Sequence, residues 1–133
     1  MKLTTKSEYS LLSLIYFARN IDNDFITTEE IAENYHMPKK YLEQLLVVLK
    51  QSRYLRAKRG AGGGYKLNKK PEEITVAEIV RLMDGALAPT ESVSTHFYSH
   101  TPIEKEEKVL TIFKKIRDYI AMILEKTTLK DLL

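Results

Sequence analysis

The sequence predicts a mainly α-helical fold with one small β-hairpin and a long C-terminal helix. Three observations support this prediction. Apolar residues recur at spacings of three and four along most of the chain, as they do on one face of an α-helix. Residues 55–68 instead alternate apolar and polar side chains around a glycine-rich centre, as in a hairpin. The helical spacing then continues without a break over residues 103–126.

Composition limits the classes of protein that this chain can belong to. It has 133 residues, of which 21 are basic and 18 acidic, and it contains no cysteine. The lack of cysteine excludes disulfides, thiolate metal sites and thiol switches. No apolar run is long enough to span a bilayer and no signal peptide opens the chain, so we expect a cytoplasmic protein without membrane association.

Two helices are expected at the start of the chain. Thr5 and Glu8 have the spacing of a capping box, in which each side chain bonds the backbone N–H of the other residue. They predict a first helix over residues 1–20, with Leu11, Leu12, Leu14, Ile15 and Ala18 on its apolar face. After a polar turn, Thr27 and Glu30 repeat the capping-box spacing and predict a short second helix.

A third helix, beginning at Pro38, has its polar residues at the N-terminal end. Its apolar residues lie at i, i+3, i+4 and i+7 and predict one buried face, formed by Leu42, Leu45, Leu46 and Leu49. The residues off this stripe can contact base edges as a recognition helix does, and they are Lys39, Lys40, Glu43 and Gln44. A surface helix with solvated charges is the alternative for this segment taken alone.

The predicted hairpin is strongly basic. Residues 38–70 hold ten of the basic residues of the chain and only one acid, Glu43. Arg59 stands at the base of the glycine-rich tip, from which arginine can enter a DNA minor groove. A nucleotide-binding loop is disfavoured because no Lys-Ser/Thr follows the glycines. Two helices joined by a short turn and followed by this hairpin predict a winged helix-turn-helix.

The middle of the chain predicts a helix and then a loop. Thr75 and Glu78 form a third capping-box pattern, and Gly85 ends the helix that it opens. Residues 86–102 are rich in Ser, Thr and Pro, and we expect a mobile surface loop. His96 and His100 lie four apart and could bind a metal if this segment were helical, but no third strong ligand accompanies them.

The C-terminal helix has a wide apolar stripe. We expect a second copy of the chain to cover this stripe, because a small domain has limited surface of its own for so long a helix. Packing on the core of the same chain is the alternative. A last turn with Leu129, Leu132 and Leu133 is expected to close over the partner. The expected interface residues are Val109, Ile112, Phe113, Ile116, Tyr119, Ile120, Ile123 and Leu124.

Five motifs, in order, resemble the Rrf-type family of bacterial winged helix-turn-helix regulators, the group of IscR, NsrR and CymR. They are MKLTTKSEY, YLEQLL, RGAGGGY, ITVAEIVRLMDG and TTLKDL. The resemblance implies a dimer that binds imperfect palindromes near promoters and contacts bases through Lys40, Glu43, Gln44 and Arg59. Members of this family often bind an iron–sulfur cluster through three cysteines in the loop after the fourth helix. Since this chain has none, we expect no cofactor.

These observations predict a sequence-specific DNA-binding transcription regulator, a homodimeric repressor without a cluster. The alternative is an interaction protein whose DNA binding depends on a partner protein or a small-molecule effector. No catalytic constellation is present. We expect a DNA-binding domain over residues 1–85, an effector loop over 86–102 and a dimerisation segment over 103–133. The expected DNA contacts are Lys2, Thr4, Lys6, Lys39, Lys40, Tyr41, Glu43, Gln44, Lys58, Arg59, Gly60 and Gly62.

Overall fold

The computed structural model describes residues 1–133 and confirms a mainly α fold with one hairpin. Five helices and a two-stranded antiparallel sheet follow one another along the chain, with short 3₁₀ turns before, between and after the last two helices. None of the helices combines the length and apolar character needed to cross a membrane. The elements are α1 (Thr5–Arg19), α2 (Thr28–Tyr35), α3 (Lys39–Gln51), β1 (Leu55–Lys58), β2 (Gly64–Leu67), α4 (Val76–Asp84) and α5 (Glu107–Lys126).

One main core joins α1, α2, α3 and the hairpin. The leucine stripe predicted for α3 is buried along its whole length. Phe17 of α1 and Ile31 of α2 meet it in the same cluster, together with Leu55 and Leu67 from the two strands. Burial of each such side chain contributes about 1.5–3 kcal/mol. The helix-turn-helix and the hairpin are therefore held as one packed unit.

The start of α1 differs from the prediction. Its N-cap is Thr4, whose hydroxyl accepts the N–H of Lys6 at 3.2 Å, so the expected Thr5–Glu8 capping box does not form. The buried side of α1 also includes Ser7, Ser10 and Ser13, which a purely apolar pattern does not identify.

The other two capping predictions differ in outcome. At α4 the box is complete, because Thr75 accepts the N–H of Glu78 at 3.2 Å and the Glu78 carboxylate accepts the N–H of Thr75 at 2.7 Å. At α2 only half forms. Thr27 accepts the N–H of Glu30, but the Glu30 carboxylate accepts the hydroxyl of Tyr16 on α1 at 2.7 Å. A tertiary hydrogen bond replaces the local one there.

The hairpin is anchored by a third piece of chain. Strands β1 and β2 pair with Leu55 opposite Leu67 and Lys58 opposite Gly64. Ile26, which precedes α2, forms a β-bridge with Tyr65 through two backbone hydrogen bonds of 2.7 and 2.9 Å. The start of β2 is thereby fixed against the residues that lead into α2.

Residues 86–102 do not form the expected surface loop throughout. Leu87, Ala88 and residues 92–94 are buried, and a 3₁₀ turn covers Glu91–Val93. Arg117 of α5 donates a hydrogen bond of 2.9 Å to the carbonyl of Val93. The first half of this segment is therefore packed between α4 and α5, while residues 95–100 are exposed.

The C-terminal end also departs from the prediction. A 3₁₀ turn, Pro102–Lys105, precedes α5, which begins at Glu107 instead of Ile103. After α5 the chain pairs with the entry to α4 through a bridge between Thr75 and Thr128. Leu129 is fully buried in the main core of its own chain and so does not cover a partner.

Candidate nucleic-acid interface

The N-terminal ends of α2 and α3 face the hairpin across an open groove. The groove has a volume of about 290 Å³, and its lining includes Thr27, Lys39 and Glu43 from the helices and Lys58 and Tyr65 from the strands. Burial raises the pKa of Tyr65, and the negative charge of Glu43 raises it further. The predicted recognition helix and the predicted wing therefore lie side by side.

Lys39 is engaged within the chain. Its ammonium forms an ion pair with Glu29 of α2 and lies 3.8 Å from Glu43. The hydrogen bond with Lys39 lowers the pKa of Glu29 and, in return, raises the pKa of Lys39. All three side chains are exposed, so this network stabilises the fold little. Lys39 must exchange a carboxylate for a phosphate to contact DNA.

The neighbouring residues of α3 are free. Lys40 and Gln44 are exposed and line an open surface together with Glu43 and Val47. Lys40 has no carboxylate within ion-pair distance. The side chains with the chemistry to contact base edges thus project from one surface of the first two turns of α3.

Tyr41 brings the start of α1 next to the start of α3. Its hydroxyl lies 3.4 Å from the hydroxyl of Thr5, and its ring packs edge-to-face on Tyr9. Lys2 and Lys6 are exposed at this end of α1. Basic residues at the start of α1 are therefore placed near those of α3.

Thr4 is held by a carboxylate that the sequence did not single out. Asp84, at the end of α4, accepts the Thr4 N–H at 2.9 Å, the Thr4 hydroxyl, and the Ser7 hydroxyl at 2.6 Å. Burial opposes ionisation of Asp84, but the hydrogen bonds from Ser7 and Thr4 and the charge of Lys6 outweigh it and lower its pKa. Because Thr4 and Asp84 are 80 residues apart, no local pattern could have revealed the contact.

The hairpin tip projects from the body. Arg59, Gly60 and Gly62 are exposed, and both glycines have positive φ, at 84° and 71°. The seven basic residues of the hairpin and its two flanks have no carboxylate within ion-pair distance. These residues are Arg53, Arg56, Lys58, Arg59, Lys66, Lys69 and Lys70. They leave a concentrated positive field beside α3.

The apolar stripe of α5 is divided between two faces. Ile120 and Leu124 pack on the smaller core of Val76, Ala77, Val80 and Leu87, and Phe113 is half-buried. The other five predicted residues are exposed, and they are Val109, Ile112, Ile116, Tyr119 and Ile123. The helix thus packs on its own chain and also presents an unpaired apolar face.

The two histidines of the 86–102 segment lie outside any helix, so the condition for a paired metal site is not met. His100 hydrogen-bonds through Nδ1 to the carboxylate of Glu104. A hydrogen bond from Tyr98, together with this one, lowers the pKa of Glu104. His100 therefore has a local carboxylate partner.

Residues 3–133 match the model of the Rrf2 family, described as an iron-dependent transcriptional regulator. CymR and NsrR of Bacillus subtilis are each 32% identical to the chain over 132 and 134 residues. The alignments cover 99% of this chain in both cases, and 89% of CymR and 90% of NsrR.

The chain is also similar in structure to solved members of this group. The structure of CymR, the global cysteine regulator of B. subtilis, has a TM-score of 0.80 at 30% identity and covers 99% of this chain and 95% of that one. IscR from T. potens has a TM-score of 0.76 at 26% identity, covering 99% and 85%. The architecture is therefore similar over nearly the full length of both relatives.

The iron dependence in the family description does not fit the side chains of this chain. Iron–sulfur clusters are held by thiolates, and the chain has no cysteine. No three His, Asp or Glu side chains lie close enough together to bind a metal ion. We therefore assign no step of DNA binding or its control to iron.

Proposed function

The chain belongs to the Rrf2 family of transcription regulators, and from this premise we propose that it acts as a homodimeric repressor on a palindromic operator. It is a DNA-binding regulator by family. The finer proposal is that Lys40, Glu43 and Gln44 contact bases in the major groove, while Arg59 enters the adjacent minor groove. Such a regulator acts in the cytoplasm, on the bacterial chromosome.

The observation that supports this proposal most strongly is the distribution of unpaired charge. The basic residues of the hairpin have no acidic partner, whereas the exposed Lys39 is already paired with Glu29 of α2 and Glu43 of α3. Phosphates would neutralise the unpaired charges and release counterions, which makes the affinity depend on salt. Base edges would then be distinguished by the exposed side chains on the first turns of α3.

The exposed face of α5 supports dimerisation. Its apolar residues occur at spacings of three, four, three and four, from Val109 to Ile123. This is the spacing of a coiled-coil seam, which packs against a matching helix. A two-fold pair of α5 helices would cover the face and hold the two recognition helices at a fixed separation, as a palindrome requires.

We place the control of binding in the packed segment between α4 and α5. Arg117 links this segment to α5, and Asp84 links the end of α4 to the start of α1. A ligand or a partner protein that moves residues 86–102 would therefore act on both the dimer helix and the DNA-facing end of α1. Hydrogen exchange with and without bound operator tests this, since unchanged protection at residues 86–102 would argue against the coupling.

The experiment that tests the function is selection of binding sites from a random duplex library by the purified chain. We expect an imperfect palindrome. On the selected operator, Arg59→Ala should weaken binding by about 1–3 kcal/mol, and Gln44→Ala should relax the preference at one position of each half-site. Recovery of no preferred sequence, or equal losses on operator and random DNA for both variants, would contradict the proposal.

The alternative is that DNA binding depends on a second molecule. The exposed aromatic rings of Phe97 and Tyr98 on the outer part of the 86–102 segment favour a protein as that molecule. The affinity of the purified chain for the selected operator distinguishes the two proposals. Tight operator binding by the purified chain alone would exclude dependence on a partner.

A further inference from the structure

The hairpin has an outer face that the proposed base contacts do not use. Because side chains alternate along a strand, Arg56, Lys58 and Lys66 lie on the side opposite the core-facing Leu55 and Leu67. The charged groups of the three residues lie 5.9–6.0 Å from the centre of the Phe25 ring. We call this surface the outer face of the hairpin.

The outer face continues into a basic groove along the end of β2. The groove has a volume of about 410 Å³. Its charged lining consists of Arg56, Lys66, Lys69, Lys70 and Glu73. The single carboxylate, that of Glu73, accepts the backbone N–H of Lys70 at 3.2 Å. One acid therefore faces four cations and is itself used to cap a turn.

The charges of this face lack partners within the chain. Arg56 and Lys66 are directly opposite one another in the hairpin register, an arrangement that destabilises a strand pair. The electron-rich face of Phe25 offsets part of this repulsion. Lys69 makes a similar cation–π contact, with its ammonium 4.5 Å from the centre of the Tyr54 ring. Aromatic rings carry no net negative charge, so the positive field of the face remains.

We infer that the outer face of the hairpin binds the backbone phosphates of duplex DNA that flanks each half-site. The inference rests on the proposed function and extends it beyond the contacts of α3 and Arg59. Flexible lysines around an open groove suit a polyanion better than a single small ligand, since phosphate contacts require charge but little shape. The DNA footprint of the protein should therefore extend past the bases that determine its specificity.

The test compares two duplexes that contain the same selected operator. One ends at the outer edge of the palindrome, and the other has about 10 extra base pairs, one helical turn, on each side. We expect the longer duplex to bind more tightly and with a steeper dependence of affinity on salt, by about 0.9 in the log–log slope for each added phosphate contact. Fluorescence anisotropy over a series of salt concentrations measures both quantities.

A triple variant, Lys66→Gln, Lys69→Gln and Lys70→Gln, should remove the advantage of the longer duplex, so that the variant binds the two duplexes with equal affinity. The matched control makes the same change of charge at the exposed Lys105, Lys108 and Lys114, and it should keep the advantage. Circular dichroism checks folding, and the single variant Lys70→Gln, at an exposed position, replaces the triple one if that does not fold.

The outcomes separate this inference from the proposed function. Equal binding of both duplexes by the wild-type protein overturns the inference alone. A triple variant that still binds the longer duplex more tightly does the same. A selection that returns no preferred sequence overturns the proposed function, and the inference with it.

Discussion

At the scale of single residues, the start of α1, where DNA contacts are predicted, depends on one carboxylate. Asp84 accepts hydrogen bonds from Thr4 and Ser7 and lies at the junction between α4 and the segment that follows it. A neutral amide at this position would keep the shape but lose the charge that strengthens these bonds. Asp84 is therefore a positioning residue, because it holds the start of α1 through Thr4 and Ser7.

Asp84→Asn should lower the free energy of unfolding by about 1 kcal/mol at neutral pH. Because folding lowers the pKa of Asp84, its contribution is complete above about pH 4 and disappears as the pH falls through the lower pKa of the folded state. Urea unfolding at pH 7 and at pH 2–3 measures the difference between wild type and variant. The difference should shrink in acid. The control variant Asp22→Asn, at an exposed position, should have the same free energy of unfolding as wild type at either pH.

A second residue-scale prediction concerns Gly64, which opens β2 directly after the tip of the hairpin. A Cβ on Gly64 would lie 2.3 Å from the carbonyl oxygen of Ile26, and its φ is 144°. Gly64→Ala should therefore break the bridge between Ile26 and Tyr65, at a cost of about 2–3 kcal/mol. Gly62 has φ of 71° but open space around it, so Gly62→Ala should cost about 1 kcal/mol. Equal decreases in the free energy of unfolding of Gly64→Ala and Gly62→Ala, measured with urea, would contradict this account.

At the scale of elements, local patterns predicted most of the fold. The leucine stripe of α3, the capping box of α4 and the period-two alternation of the hairpin depend on residues within one element, and all three predictions are confirmed. The bridge from Ile26 to Tyr65 and the buried serines of α1 escaped prediction. Both depend on contacts with distant parts of the chain, which a local period does not contain.

The division of the α5 stripe into a packed and an exposed part could not be predicted for the same reason, because it depends on contacts with another element. The sequence showed a wide apolar stripe, but only packing on α4 determines which part of the stripe the chain itself covers. The exposed remainder has the spacing of a helix-pairing seam. The predicted DNA contacts were placed on neighbouring surfaces of α1, α3 and the hairpin, but the pairing of Lys39 with Glu29 on α2 was not foreseen.

Ile112→Asp should disrupt the proposed dimer. The side chain is 56% exposed in the single chain, so a carboxylate there leaves the fold of the subunit intact. In a paired seam it would be buried without a partner, at a cost of about 3 kcal/mol or a roughly 100-fold rise in the dimer dissociation constant. Analytical ultracentrifugation measures this. Thr111→Asp, one residue away on the exposed polar side, should leave the dimer unchanged, and a dimer that tolerates Ile112→Asp would place the interface elsewhere.

At the scale of the whole molecule, the end of the chain returns to the main core, which α1, α2, α3 and the hairpin form. The backbone N–H of Val76 bonds the carbonyl of Thr127 and the N–H of Leu129 bonds the carbonyl of Ile74, both at 2.9 Å. The side chain of Leu129 lies in the same cluster as Phe17 and Leu42. The last turn therefore fixes the C-terminal end of α5 to the core that holds α3, the predicted recognition helix, and so links any dimer geometry to the position of α3.

This arrangement predicts that the chain unfolds as one unit instead of as a DNA-binding domain and a separate dimer helix. Leu129→Ala should open a cavity in the main core and lower the free energy of unfolding by about 2–5 kcal/mol. Leu132→Ala, three residues later, removes a side chain that is 38% exposed and should cost less than about 1 kcal/mol. Urea unfolding followed by far-ultraviolet circular dichroism and by tyrosine fluorescence should give coincident single transitions for wild type and both variants. Two separate transitions, or a Leu129→Ala variant as stable as Leu132→Ala, would show that α5 and the winged helix-turn-helix are energetically independent. Dimer geometry would then affect DNA contact only through Arg117 and the 86–102 segment.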